Sequence, residues 1–184
     1  MRLTDVMSSM DLAVYPALAL VLFTGVFALV AIRVARTRRE EAARWSRTGA
    51  GFALAILDMD RFKAVNDDHG HLVGDALLCH VGRVLAAAKR TEDVLGRLGG
   101  EEFVVLMCGH QSGGGAATAA DRLREAVAAN PMVHGGEALR VTLSGGIAEL
   151  PADGADWDKV FAVADARLYE AKRSGRNRVV GGKT

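Results

Sequence analysis

Arg97-Leu98-Gly99-Gly100-Glu101-Glu102-Phe103-Val104-Val105-Leu106-Met107 is the stretch on which the reading of the fold turns. Val94-Leu95 to Leu98 and Phe103 to Met107 are short β-prone runs on either side of Gly99-Gly100, and a two-glycine turn lets both central residues take the positive φ of a tight hairpin. The stretch predicts a hairpin. Glu101 and Glu102, side by side at the head of an apolar strand, are the part that a purely structural hairpin does not need. Side chains alternate faces along a strand, so the two carboxylates are expected on opposite sides, with one facing a site shared with neighbouring strands. The plain alternative is an edge strand that keeps acids at its tip for solubility.

Working outward, Phe52-Ala53-Leu54-Ala55-Ile56-Leu57 is an unbroken apolar run of the length expected for a strand buried on both faces. It stops at Asp58-Met59-Asp60. A carboxylate at the end of a buried strand suits a metal, because the sheet fixes the backbone while the group emerges at an edge. Asp60 has a second reading as the cap of a short helix beginning Arg61-Phe62-Lys63. Asn66-Asp67-Asp68-His69-Gly70-His71 is turn-rich, and Gly74-Asp75 precedes an amphipathic helix expected from about Ala76 to Lys89. Asn66 and Asp75 on their own read as turn or cap residues. His69 and His71 lack a third ligand at zinc spacing.

Arg90-Thr91-Glu92-Asp93 reads as a charged, solvated turn, and Gly113-Gly114-Gly115 as a loop. Further helices are expected over Thr118 to Ala129 and Trp157 to Ser174, the latter with Val160, Ala164, Leu168 and Ala171 on one face. Arg140 to Ile147 alternates as a strand, and Val179-Val180 is a final short one. Lys172, Arg173, Arg176 and Arg178 gather where the last helix ends at Gly175, either to satisfy its terminal carbonyls or to clamp a phosphate. The order strand, helix, hairpin, helix, strand, helix, strand predicts an α+β fold with helices packed on an antiparallel-containing sheet.

Leu12 to Ile32 contains no charged residue and is long enough to cross a hydrocarbon core of about 30 Å. Arg33, Arg36, Arg38, Arg39, Arg44 and Arg47 follow it and Arg2 alone precedes it, a bias that places the C-terminal bulk in the cytoplasm. A cleaved signal or a buried core helix are the rival readings. The expected organisation is a short outer N-terminus (1–11), a membrane helix (12–32), a basic linker helix (33–48) and one domain (49–184) on the cytoplasmic side of a membrane. A net charge of +1 gives no electrostatic argument for nucleic acid. Cys79 and Cys108 lie in apolar stretches without metal spacing and read as reduced core residues.

Leu57-Asp58-Met59-Asp60-Arg61-Phe62-Lys63, Asn66-Asp67, Gly70-His71, Gly74-Asp75, Arg97 to Phe103, Thr142 to Ala148, Ala164-Asp165-Ala166 through Lys172, and Gly175-Arg176-Asn177-Arg178, taken together, resemble the GGDEF diguanylate cyclase family. The resemblance runs from roughly Glu40 to Val180, with Gly-Gly-Glu-Glu-Phe as the hairpin variant. It implies a ferredoxin-like, nucleotidyl-cyclase-like fold and condensation of two GTP into cyclic di-GMP with release of pyrophosphate.

It further implies that Asp58, Glu101 and the Met59 carbonyl hold Mg²⁺ or Mn²⁺, with Glu101 also the proton acceptor and Glu102 supporting the metal or the attacking hydroxyl. Asn66 and Asp75 would read guanine, His71 would lie at the substrate, and Lys63, Lys172 and Arg176 would hold phosphates. Arg90 and Asp93 would form an inhibitory product site. Each domain would carry one GTP, so catalysis would need a homodimer, in a membrane-anchored signalling protein of the kind that controls biofilm formation. One motif departs from the pattern: the family's Asp-x-Leu-Thr-Gly-Leu-x-Asn-Arg-Arg is not found ahead of Asp58, so the leading part of the family domain is expected to be missing. The alternative function is a catalytically impaired member that serves as a cyclic di-GMP receptor or interaction module.

Overall fold

A computed structural model describes residues 51–109 and 115–182. The expected membrane segment at 12–32 and the basic linker at 33–48 lie outside them. The central element is strand β1 (Phe52–Met59), every residue of which is buried. It is followed by helices α1 (Phe62–His69) and α2 (His71–Ala88), the hairpin β2 (Val94–Gly99) and β3 (Glu102–Cys108), and α3 (Gly115–Ala129). A two-stranded ribbon, β4 (Met132–His134) and β5 (Glu137–Leu139), precedes β6 (Leu143–Leu150), α4 (Trp157–Arg173) and β7 (Val179–Val180).

The main sheet has the order β2-β3-β1-β6-β7. β1 is antiparallel to both β3 and β6, and β7 alone is parallel to its neighbour. This is the ferredoxin-like arrangement, with β7 added at one edge. The apolar run in β1 is unbroken because both of its faces are covered. On one face Ala53, Ala55, Leu57 and Met59 pack with Leu77, Leu78, Val81 and Leu85 of α2 and Ala120, Leu123 and Val127 of α3. By alternation Leu54, Ile56 and Asp58 look the other way, toward α4, which buries Val160, Ala164, Leu168 and Ala171. Burying a Leu or Val side chain stabilises by about 1.5–3 kcal/mol, so this stripe holds α4 to the sheet. A Cβ at Gly146 would lie 2.0 Å from Ala164 O and 2.2 Å from Leu168 N; only a glycine lets α4 lie this close to β6.

Several expectations change in detail. The hairpin loop is Gly100-Glu101, with positive φ at Gly100 alone and an irregular register between Arg97 and Gly99. Arg97 donates from Nε and Nη2 to Gly100 O at 2.9 and 2.6 Å, which fixes that turn. α2 starts at His71, five residues before the expected Ala76, and so takes in Gly74 and Asp75. Gly115 opens α3 and is not loop. The predicted strand at Arg140 to Ile147 is displaced to Leu143–Leu150, and the β4–β5 ribbon was not anticipated. Cys79 is exposed on α2, and Cys108 is half-buried with its Sγ donating to Glu92 O at 3.2 Å, so the core placement is corrected for both. α2 is long and apolar enough to span a membrane by length and composition, yet its apolar face is in the core.

Candidate active site

Asp58 lies one residue from the end of the buried strand, close to where the sequence predicts, and its carboxylate is nearly covered. In register it stands opposite Glu102 of β3 and Ser144 of β6, so all three side chains share the α4 face. Lys172 Nζ reaches down from the last turn of α4 to Asp58 Oδ2 at 2.8 Å. Burial raises the Asp58 pKa above the ordinary carboxylate value; the Lys172 hydrogen bond and charge oppose this, and Glu101 and Glu102 push it further up. Both acids of the hairpin therefore act on Asp58. The opposite-face expectation does not apply to Glu101, because it sits in the turn and only Glu102 belongs to the strand. The main chain is tied there as well, Met59 N donating to Glu101 O at 3.3 Å.

A divalent cation fits this donor set. Asp58 holds one ammonium, that of Lys172, and feels the charges of Glu101 and Glu102, which leaves excess negative charge around a buried carboxylate. Among the described residues no three His, Cys, Asp or Glu side chains form a ready-made metal cluster. The resemblance asks for two carboxylates and the Met59 carbonyl; of these, Glu101 acts on the charge of Asp58, and Met59 is tied to Glu101 through its N–H.

Asn66 and Asp75 are not caps. Asn66 lies inside α1 and Asp75 inside α2, and the Asn66 side chain presses against the backbone at Gly74, where a Cβ would meet its Oδ1 at 1.9 Å. An amide lying on Gly74 and the exposed carboxylate of the residue after it are thus offered by two consecutive helices. His71 opens α2 and Lys63 lies on α1; both are exposed.

The cations near Gly175 divide by role. Ser174 satisfies the helix end, its N–H and Oγ donating to Glu170 O, so the cations are not needed there. Arg173 lies over the Tyr169 ring at 5.7 Å, and Lys172 goes to Asp58. Arg176 is exposed, has a left-handed backbone and lacks an acidic partner among the described residues.

Asp60 is not the helix cap that its position before Arg61 suggests. Arg61 occupies the cap position with no side-chain cap, and Asp60 is instead a buried junction. It accepts from Thr142 Oγ1 and Ser144 Oγ, both at 2.6 Å, and from Asn177 N at 3.0 Å. No local signal predicts this, because the partners come from distant parts of the chain.

Arg90 and Asp93 share one turn, with Asp93 N donating to Arg90 O. The expectation of a solvated turn is corrected for Asp93, which is buried and accepts from the backbone N–H groups of Arg90 and Cys108. Of the two, Arg90 is the exposed one, its Nη1 4.0 Å from Glu92 Oε1.

The family model described as "Diguanylate cyclase, GGDEF domain" matches residues 33–178. The chain belongs to the GGDEF family. A diguanylate cyclase of Pseudomonas aeruginosa, DgcP, is 44% identical to this GGDEF chain over 140 residues, covering 76% of it and 21% of the relative. The chain thus spans about a fifth of that relative's length. Among solved structures, the GGDEF domain of DgcB from Caulobacter crescentus in complex with c-di-GMP superposes with a TM-score of 0.72 at 32% identity, covering 81% of this chain and 88% of that one. The active GGEEF domain of a Vibrio cholerae diguanylate cyclase gives 0.71 at 29% identity, covering 79% and 92%. Its hairpin letters are those of Gly99 to Phe103 here.

Proposed function

We propose that this GGDEF protein is a diguanylate cyclase that joins two GTP molecules into cyclic di-GMP and releases two pyrophosphates. The observation that carries the reading is the convergence of Glu101, Glu102 and Lys172 on Asp58, on the sheet face covered by α4. In each of two equivalent steps a 3′-hydroxyl oxygen bonds to the α-phosphorus of the other nucleotide. The bond from that phosphorus to the bridging oxygen breaks, and pyrophosphate leaves with the electron pair. The hydroxyl proton passes to a carboxylate, for which Glu101 is placed in the turn and Glu102 stands beside it as support.

Asp58, Glu101 and the Met59 carbonyl would hold Mg²⁺ or Mn²⁺, which supplies charge neutralisation at the reacting phosphate when bound. Asn66 and Asp75 offer the amide and carboxylate that a guanine edge needs, with His71 at the head of the same helix. Lys63, Lys172 and Arg176 supply positive charge for the phosphates, Lys172 by exchanging Asp58 for a phosphate oxygen. One domain holds one nucleotide, so two copies must face each other as a homodimer. Anchoring through the charge-free segment at 12–32, with its arginine-rich cytoplasmic flank, would raise their local concentration on a bacterial inner membrane. Product inhibition is supported at the exposed guanidinium of Arg90, with Asp93 shaping its turn from within.

The test is to incubate the purified chain with GTP and Mg²⁺ beside a Glu101→Ala control and to quantify cyclic di-GMP and pyrophosphate. Product should fall by about 10²-fold or more in the control. Equal product from both removes the cyclase reading, and saturable cyclic di-GMP binding without any product would put a receptor in its place.

A further inference from the structure

The segment after α4 has a backbone that its sequence does not favour. Gly175, Arg176 and Asn177 carry φ values of +117°, +62° and +45° in succession. Asn tolerates the left-handed region through its short polar side chain, whereas Arg has no such excuse and costs about 1–2 kcal/mol there. Such a conformation persists only where surrounding contacts determine it. Here they come from three directions. Arg176 N donates to Ala171 O at 3.0 Å, Asn177 N donates to Asp60 Oδ2 at 3.0 Å, and Asn177 Oδ1 accepts from Arg124 Nη1 at 3.0 Å.

Neither Asp60 nor Arg124 is free to do anything else. Asp60 is already gripped by the hydroxyls of Thr142 and Ser144, which lock it to β6. Arg124, on α3, is mostly buried and spends Nε on Asp121 Oδ1 at 2.6 Å and Nη2 on Glu125 Oε1 at 3.2 Å. A planar fork with its other nitrogens committed points its remaining N–H groups in a fixed direction. Asn177 is thus held by its main chain from the sheet and by its side chain from α3, and the residue that this clamp orients is its neighbour Arg176.

We propose that Arg124 and Asp60 are positioning residues that act through Asn177 to aim the Arg176 guanidinium at the nucleotide polyphosphate. This rests on the nucleotide reading above. Loss of the clamp lets the segment relax toward right-handed backbone and carries the guanidinium off the phosphates, while the guanine contacts on α1 and α2 are untouched. The signature is therefore a loss of polyphosphate recognition without loss of base recognition.

The test uses the full chain as wild type, Arg124→Ala, Asn177→Gly and the double variant. Asn177→Gly keeps the left-handed backbone accessible and removes only the side-chain link. Calorimetry measures affinity for the α,β-methylene analogue of GTP and for GMP, with thermal unfolding as a check on folding. The ratio of the two affinities should drop about tenfold in each single variant, the size of one hydrogen bond to a charged group. It should drop no further in the double variant, because both changes cut the same link. A ratio within twofold of wild type, or single effects that multiply in the double variant, overturns the proposal. If Arg124→Ala does not fold, Asn177→Gly alone decides on the same criterion. Wild-type protein that binds neither nucleotide would instead overturn the nucleotide reading.

Discussion

Lys172 Nζ, in the last turn of α4, lies 2.8 Å from Asp58 Oδ2 at the end of the central strand. The pair ties α4 to β1, next to the close approach of α4 to β6 that Gly146 allows, and it sets one ammonium against a carboxylate that burial has made uncomfortable. The charge on Asp58 is thus held in place by its surroundings at some expense to the fold, as is common where a group is kept for chemistry.

Asp58→Asn should stabilise the metal-free protein at neutral pH while abolishing cyclase activity. The sign follows from its raised pKa: the folded state binds the Asp58 proton more tightly than the unfolded state. Ionisation therefore costs stability once pH has risen past the folded value, and the cost is absent below the ordinary value of 3.8. Lys172, left without its partner, is one-third exposed and can turn its ammonium to water. Thermal unfolding in chelator should show a higher midpoint for the variant. Added Mg²⁺ should raise the wild-type midpoint only, by linkage to binding; an equal rise in both would move the metal elsewhere.

Gly146→Ala should cost about 3 kcal/mol or more, at the upper end for overpacking, because the new methyl meets main-chain atoms of Ala164 and Leu168 that no rotamer change can move aside. α4 would have to lift, taking Lys172 and Arg176 with it. A urea midpoint well below wild type and a raised KM for GTP in the surviving folded fraction are expected. An unchanged midpoint would mean that α4 does not rest on β6 at Gly146.

Asp153 and Arg167 form a two-pronged pair at 2.6 and 2.7 Å, and Arg167 Nη1 also donates to Ile147 O at 2.6 Å, locking α4 to the end of β6. Arg167 holds the Asp153 pKa below the ordinary 3.8. A lowered carboxylate pKa gives stability that is present above the unfolded value and is lost as pH falls through the folded one. Asp153→Ala should therefore cost about 3 kcal/mol at pH 7, because Arg167 is left buried without its partner. The gap to wild type should narrow as pH drops below 3.8. Parallel pH profiles for the two proteins would exclude the pairing.

The parts of this fold that were readable in advance are those decided by neighbours in sequence. The unbroken apolar run of β1, the acid at its end and the glycine-centred hairpin all announce themselves locally. The missed features depend on distant contacts: Asp60 meets hydroxyls of Thr142 and Ser144, 82 and 84 positions away. The late start assigned to α2 has a physical cause too, since Gly74 reads as a helix breaker until the Asn66 side chain is seen lying on it. The β4–β5 ribbon did carry a local signal, Gly135-Gly136 between Met132-Val133-His134 and Glu137-Ala138-Leu139, but three-residue strands are too short for alternation to stand out.

Gly74→Ala isolates base recognition from stability. In a helix interior alanine gains about 1 kcal/mol over glycine, and the atoms nearest the new methyl are Asn66 Oδ1 and Cγ and a Phe62 ring carbon, all in side chains. The end of the Asn66 side chain is the cheapest of these to move, so the fold should survive with a midpoint near wild type. Asn66 would be displaced from Gly74, and on the proposed reading the guanine edge would lose its amide contact while the phosphate cations kept theirs. The affinity for a GTP analogue should fall about tenfold or more, whereas that for an ATP analogue, which has no guanine edge to lose, should change little. A fall shared equally by the two nucleotides would place Asn66 away from the base and return it to a purely structural part in the packing of α1 on α2.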